Sequence, residues 1–383
     1  MPAVDDPRIL VDATAVPPDR RGVGRYVDSL LPALDTAGAH LVVTCRTEDV
    51  GHYASLCPHA DVLPAPAAIR RRPIRLAWEQ TLLPALIART APDVVHCPHY
   101  TRPLAVLRPT VVTLHDATFF THPEAWEPVK RRFFGTWTRA SLRLATRCIV
   151  PSAATRDELV RILGVRRARI DVIHLGVDEA VFHRPSPAEI GRARDVLGIG
   201  DRPYVAFLGT LEPRKNVPAL VRGFAAAVRD RAERPVLVLA GGTGWDGRLD
   251  EAIASVPRTV EIIRPGFLPG AALAGYLGGA SVVAYPSLGE GFGLPVLEAM
   301  ACGAAVLTTR HLALGEVGGD AVEYTETSAD AIAAAIGRLL ADAPRRAALA
   351  ERGLKRAAAF RWDTAAAAHR AVYAEAAATP RGN

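Results

Sequence analysis

The stretch Tyr285-Pro-Ser-Leu-Gly-Glu290-Gly-Phe-Gly-Leu-Pro295-Val-Leu-Glu298-Ala-Met-Ala-Cys-Gly303 holds three local structures in a row. Residues 282–285 read as a buried strand, 286–293 as a glycine-rich loop and 294–301 as a helix. Pro295 suits a first helical turn, where its fixed φ is already helical and its missing N–H is not needed. Gly289, Gly291 and Gly293 allow close backbone approach, and the new helix directs unpaired N–H groups at an anion. Glu290 precedes the helix and Glu298 lies about one turn into it. Carboxylates accept hydrogen bonds from vicinal hydroxyls such as those of a hexose or a ribose. The same spacing also suits a plain loop glutamate and a first-turn glutamate that favours the helix dipole, so both readings stand at this point.

Strand–loop–helix units of this kind recur along the whole chain, the pattern of βαβ units building parallel sheets. Strands are expected at 9–12, 41–44, 93–96, 110–115, 148–150 and 170–173, then at 204–208, 236–240, 260–263, 282–285, 305–308 and 321–324. Helices are expected at 26–34, 76–88, 129–146 and 153–163, then at 217–228, 271–277, 294–301, 329–340, 344–360 and 363–377. Ser152 is placed to cap the 153–163 helix. The prolines in Phe182-His-Arg-Pro-Ser-Pro187 interrupt the pattern and read as a linker. The expected fold class is α/β, with two doubly wound, Rossmann-like domains whose strand ends face an interdomain cleft. Residues 1–183 make the first domain and 184–362 the second, with a helix in 363–383 packing back on the first.

At 383 residues and 49% hydrophobic, the chain has enough apolar material for two cores. A net charge of +6 is modest, and no basic stripe or recognition module points to nucleic acid. The cluster Arg70-Arg-Arg-Pro-Ile-Arg75 reads as a solvated surface loop, with contact to an anionic membrane or lipid acceptor as the alternative. Cys45, Cys57, Cys97, Cys148 and Cys302 are odd in number and sit among apolar neighbours without a Cys-x-x-Cys pair. They are expected as buried thiols of a reducing, cytoplasmic compartment. The opening residues lack an apolar signal core, and no run is long enough to span a membrane, so peripheral attachment is the closest membrane contact expected.

Phe207-Leu-Gly209-Thr-Leu-Glu212-Pro-Arg214-Lys215-Asn216 is a strand entering a polar turn and then a helix. Arg214 and Lys215 can form a local anion site, although a turn with solvated charges is the reading the residues alone favour, and Asn216 is placed to cap the following helix. Gly22-Val23-Gly24 reads as a turn between the first strand and the first helix, where backbone amides can meet a phosphate or sugar. His115-Asp116 ends an apolar strand, an arrangement equally open to a structural pair. Gly242-Thr-Gly244-Trp-Asp-Gly247 formally matches a dinucleotide fingerprint, with Glu261 as the ribose acid. It follows the second strand of its domain, however, and Glu261 begins a strand instead of ending one. An NAD(P)-dependent oxidoreductase is therefore disfavoured. No Asp-x-Asp pair occurs to hold a sugar-transfer metal.

The Glu-x7-Glu pattern from Glu290 to Glu298 resembles the hallmark of the retaining GT-B glycosyltransferases of family 4. The Gly-x-x-x-x-x-Lys-Asn element at 209–216 is similar to the diphosphate-binding turn of the same family. Gly22-Val-Gly-Arg-Tyr26 and Trp78-Glu79-Gln80 look like elements of its bacterial GDP-mannose-dependent mannosyltransferases. The resemblance implies that Glu290 holds donor-sugar hydroxyls, Glu298 holds the ribose, Arg214 and Lys215 neutralise the leaving diphosphate, and His115 contacts the sugar. It adds Gly22, Val23, Gly24, Gly209, Glu212, Gly291, Phe292, Gly293 and Leu294 as donor-binding positions. The implied reaction is retaining hexosyl transfer from a nucleotide-diphosphate sugar to a hydroxyl of a glycan, lipid or small molecule, without cofactor or metal. Mannose from GDP-mannose is the first expectation and a UDP-glucosyl or UDP-GlcNAc donor the second. A non-catalytic nucleotide-binding scaffold is the alternative from another class.

Overall fold

The computed structural model describes residues 6–18, 20 and 22–379. Residues 1–5 and Arg21, which precedes the glycine pair, lie outside them. The chain forms two compact units. One contains Met1–Thr121, Glu127–Gly176 and Arg361–Asn383, and the other His122–Trp126 and Val177–Phe360. The units therefore change at Gly176, ahead of the prolines at 185 and 187, and the 122–126 segment belongs to the second unit.

In the first unit, β1 (Ile9–Asp12), β2 (Leu41–Arg46), β3 (Asp61–Ala65), β4 (Val94–Cys97), β5 (Thr110–Thr113), β6 (Arg147–Val150) and β7 (Ile170–Val172) form one sheet of order β3-β2-β1-β4-β5-β6-β7. In the second, β8 (Tyr204–Leu208), β9 (Val236–Ala240), β10 (Ile262–Gly266), β11 (Val282–Tyr285), β12 (Val306–Thr308) and β13 (Glu323–Tyr324) take the order β10-β9-β8-β11-β12-β13. Every pairing is parallel. Central strands such as β2, β8 and β9 are buried along their length, because helices cover both faces. Each sheet reverses direction beside its first strand, between β1 and β4 and between β8 and β11. In open α/β sheets that reversal leaves a crevice at the carboxyl ends of the two strands.

The edge strand β3 has no counterpart in the sequence reading, because Pro64 interrupts its short apolar run; an edge tolerates proline, and the strand is largely exposed or half-buried. The 182–187 segment leads directly into a helix, Pro187–Leu197, in place of the expected linker. Ser186 and Glu189 form a reciprocal capping box there, with Pro187 in the first turn. The glycine pair also differs from expectation. Gly22–Thr36 is helical from its first residue, so Gly22, Val23 and Gly24 form a first helical turn. Ser152 caps Ala153–Leu163 through Thr155 N, as its position predicts. All five cysteines are buried and free. Among the described residues no helix is long and apolar enough to cross a membrane.

The Trp362–Ala378 helix packs on Gly22–Thr36 and joins the first unit through a buried chain of hydrogen bonds. His369 Nδ1 lies 2.7 Å from Ala365 O, an acceptor only, so this nitrogen donates and Nε2 accepts. Tyr26 OH therefore donates to His369 Nε2 at 2.8 Å and accepts from Thr113 Oγ1 at 3.0 Å. Thr113 Oγ1 in turn accepts from His96 Nε2 at 2.9 Å, and His96 Nδ1 accepts from Tyr373 OH at 2.8 Å. Each group donates once only while both imidazoles are neutral. Burial holds both in that state, lowering His96 well below its usual range and His369 to about 4.

Candidate active site

The carboxyl ends of β8 and β11 lie side by side at the switch point of the second sheet. After β8 the chain passes Gly209 and enters a short 3-10 turn, Pro213–Lys215, before the Val217–Val228 helix. Asn216 stands at the cap position but does not cap with its side chain. It adopts a left-handed φ of 58° and its amide donates to Thr327 O at 2.8 Å, tying the turn to the exit of β13. After β11 comes the glycine loop and then the Leu294–Ala301 helix, with Pro295 in its first turn. The two turns are stitched together, since Leu288 N donates to Arg214 O at 2.8 Å and Arg214 Nη1 to Gly289 O at 2.8 Å.

Glu290 is the centre of this junction. Its Oε1 accepts from Lys215 Nζ at 2.6 Å, Ser287 Oγ at 2.7 Å and Tyr285 OH at 3.0 Å. Its Oε2 accepts from Arg214 Nη1. The other guanidinium nitrogen donates to Glu212 Oε1 at 2.6 Å. Burial pushes the Glu290 carboxyl up, but Arg214 and Lys215 outweigh it and bring it down to about 2. Burial, then Glu290, pushes Tyr285 well above its usual range, so its hydroxyl stays a donor.

Arg214, Lys215, Glu212 and Glu290, four of the residues singled out in sequence, thus meet. They form a balanced set of two cations and two carboxylates, where the sequence left a local anion site and a solvated turn both open. Tyr285 and Ser287 lay within the opening stretch without a role, and they turn out to hold the carboxylate.

Glu298 is buried in the same helix. Phe292 is buried and packs its ring edge-on to Phe360, centroids 5.8 Å apart. Gly293 has a φ of 107°, and a Cβ there would stand 2.8 Å from Leu314 Cδ2. Gly291 lies two residues before it in the loop, and Leu294 is the first residue of the helix.

In the first unit, His115 follows β5. Its Nε2 donates to Pro98 O at 2.7 Å, which leaves Nδ1 as an acceptor. Burial lowers it to about 4, so the ring is neutral near pH 7. The helix N-terminus at Gly22–Gly24 follows β1. At the β1/β4 switch point Arg75 is buried, not part of a solvated loop: its Nη1 donates to Glu79 Oε2 at 2.7 Å, and Thr101 Oγ1 donates to the same oxygen at 2.6 Å. Asp12 Oδ2 lies 3.9 Å from that guanidinium. The Trp78-Glu79-Gln80 element therefore supplies a buried acidic partner for Arg75 and Thr101 beside the β1/β4 switch point, a role its wording did not reveal.

Residues 190–356 match the family described as glycosyl transferases group 1, and residues 20–181 match Glycosyltransferase Family 4. The chain is 31% identical over 358 residues to O-antigen chain mannosyltransferase B of Escherichia coli, covering 89% of this chain and 93% of that protein. The chain belongs to glycosyltransferase family 4. D-inositol 3-phosphate glycosyltransferase of Kineococcus radiotolerans is 33% identical over 254 residues, covering 61% of this glycosyltransferase and 58% of the relative. The fold is shared with sucrose-phosphate synthase of Thermosynechococcus elongatus, at a TM-score of 0.76 and 22% identity over 96% of this chain and 98% of the other. The architecture is accordingly GT-B, and the protein is an enzyme.

In this glycosyltransferase Gly244, the middle glycine of the dinucleotide-like turn, and the preceding Gly241 serve packing, while a Cβ on Gly247 would meet open space. A Cβ on Gly244 would overlap the Leu211 carbonyl, and one on Gly241, at a φ of 127°, would overlap that of Gly209. Both neighbours are backbone of the turn that carries Glu212 and Arg214, and Leu211 N donates to Gly242 O at 3.0 Å. Gly244→Ala is expected to push the two turns apart, destabilising the protein by about 2 kcal/mol or more and weakening nucleotide affinity in parallel. Thermal unfolding and nucleotide titration of that variant check it; wild-type values for both would show that the turns are not in contact.

Proposed function

We propose that this glycosyltransferase moves mannose from GDP-mannose to an acceptor hydroxyl, with retention of anomeric configuration and without a metal ion. The Glu290 cluster carries the reading. Glu290 remains ionised and immobile, suited to accept hydrogen bonds from sugar hydroxyls. Arg214 and Lys215 lie against it, placed to exchange part of their pairing for a diphosphate. Glu298 is positioned for the ribose, and the N–H groups of Gly291, Phe292, Gly293 and Leu294 lie at the helix start, where phosphate oxygens are favoured. Gly22, Val23, Gly24 and neutral His115 are assigned to the same donor, with Gly209 and Glu212 shaping the turn below it.

In the proposed step the bond from anomeric carbon to phosphate breaks and the bond to the acceptor oxygen forms on the same face. The acceptor's proton passes to the departing phosphate. Attack by Glu290 is disfavoured, because four hydrogen bonds and a pKa of about 2 make its carboxylate a poor nucleophile. Similarity to the Escherichia coli mannosyltransferase supports mannose as the sugar.

Thermal unfolding with GDP, UDP and ADP tests the nucleotide, since a ligand at about 100 times its Kd stabilises by about 2.7 kcal/mol. GDP is expected to give the largest shift, GDP-mannose to be consumed at an unchanged rate in EDTA, and the product to be the α-anomer by NMR. A response confined to UDP would transfer the reading to a UDP-sugar. Nucleotide binding without any donor turnover would leave a scaffold in its place.

A further inference from the structure

β12 and β13 end side by side at one edge of the second sheet, and the residues just beyond them line a cavity of about 320 Å³. That volume suits a small ligand. Part of the lining is a stripe of the Ala329–Ala341 helix, Ala331, Ala334 and Arg338, spaced three and four residues apart and so on one face. The two methyl side chains leave the space open, and Arg338 brings a cation to it. Arg310 brings a second. Its guanidinium stacks on the Tyr324 ring, 3.8 Å from the centroid, and the ring is held because Tyr324 OH donates to Gly319 O at 2.8 Å.

Both cations are short of carboxylate partners. Among the described residues no carboxylate lies within ion-pairing distance of Arg310. Arg338 shares Glu323 with Arg345, at 3.5 and 3.0 Å, so one carboxylate serves two guanidinium groups there. Planar guanidinium forks with spare N–H groups suit a phosphate. Thr325 and the exposed Glu326 line the same cavity, and their oxygens accept hydrogen bonds from hydroxyls, whereas a bare anion against Glu326 would be repelled. A ligand that satisfies both parts carries a phosphate and hydroxyls together. We propose that this cavity binds the phosphate monoester of a sugar, at a site separate from the Glu290 cluster. The segment from Arg310 to Ala313 abuts the donor loop from outside: Ala313 N donates to Glu290 O at 3.4 Å, and a Cβ on Gly289 would stand 2.8 Å from Leu312 Cδ1. Arg214 and Lys215 are already paired with Glu212 and Glu290 and take no part in it.

Calorimetric titration of the purified chain with glucose 6-phosphate, inorganic phosphate and glucose tests this. Glucose 6-phosphate is expected to bind about tenfold or more tightly than either of the others, and as well in saturating GDP as without it. Arg310→Gln with Arg338→Gln is expected to weaken that binding about tenfold or more, and so is Ala334→Trp, which fills the cavity and keeps both cations. GDP affinity should stay at the wild-type value in both variants. Wild-type protein that does not bind glucose 6-phosphate, inorganic phosphate bound as tightly, or unchanged binding in either variant would overturn the proposal. Displacement by GDP would overturn it too, by placing the sugar phosphate on Arg214 and Lys215. If the arginine variant does not fold, Ala334→Trp and the GDP competition still decide.

Discussion

Glu290→Gln is expected to lower sugar transfer about 100- to 1,000-fold per folded molecule while GDP affinity holds or rises. The amide has the size of the carboxylate, but each of its two oxygen positions faces a cation that can only donate. Oε1 faces Lys215, Ser287 and Tyr285, and Oε2 faces Arg214, so either placement of the NH2 group meets a donor. Removing the charge leaves Arg214 and Lys215 with Glu212 as their carboxylate partner. Breaking a buried pair on one side costs about 3–5 kcal/mol, so the thermal midpoint falls as well. Those same cations are then available to a diphosphate, which predicts nucleotide binding at least as tight as wild type. Steady-state transfer corrected for folded fraction, beside calorimetric titration of GDP, reads both effects. Full turnover per folded molecule would show that Glu290 only buttresses the loop; weaker GDP binding would show that Arg214 and Lys215 do not receive the phosphates.

The loop carrying Glu290 was legible because its signals are local. A buried strand, spaced glycines and an early proline each force one conformation, and the Leu294–Ala301 helix begins where Pro295 predicts. What escaped reading depends on partners far away in the chain. Asn216 has the composition of a cap, yet its amide goes to Thr327, 111 residues on. Arg75 stands in an arginine run that reads as solvated, and burial with Glu79 and Thr101 follows only once the β1/β4 crevice exists. β3 was hidden by Pro64, which a central strand would not accept and an edge strand does. The capping box at Ser186 and Glu189 was readable, but the prolines beside it took precedence as breakers. Tyr26 and His369, 343 residues apart, carry no sequence signal that they pair.

That pairing governs the response to acid. The first unit is expected to unfold before the second as pH falls below about 6.5. His96 and His369 are buried neutral, with His369 lowered to about 4, and burial likewise brings His99 to about 3 and His115 to about 4. In the unfolded chain each takes up a proton near its usual value of about 6.5. The unfolded state therefore binds more protons between that pH and the folded values, and stability declines as pH falls through the interval. His96 and His369 alone contribute a slope of roughly 1.4 kcal/mol per pH unit each. The Glu290 cluster behaves differently. Its carboxyl lies at about 2, so its contribution is complete above the usual carboxylate range near 4.5 and is lost only toward pH 2. Protonating His369 would also turn its Nε2 into a donor facing Tyr26 OH, forcing the chain through Thr113 and His96 to rearrange. Hydrogen exchange at pH 7, 5 and 4 should show the Trp362–Ala378 helix and β4 losing protection while Leu294–Ala301 keeps it. His369→Gln, which removes one titrating group from this core, should move the acid midpoint of the first unit; an unmoved midpoint, or simultaneous loss of protection in both units, would refute the linkage.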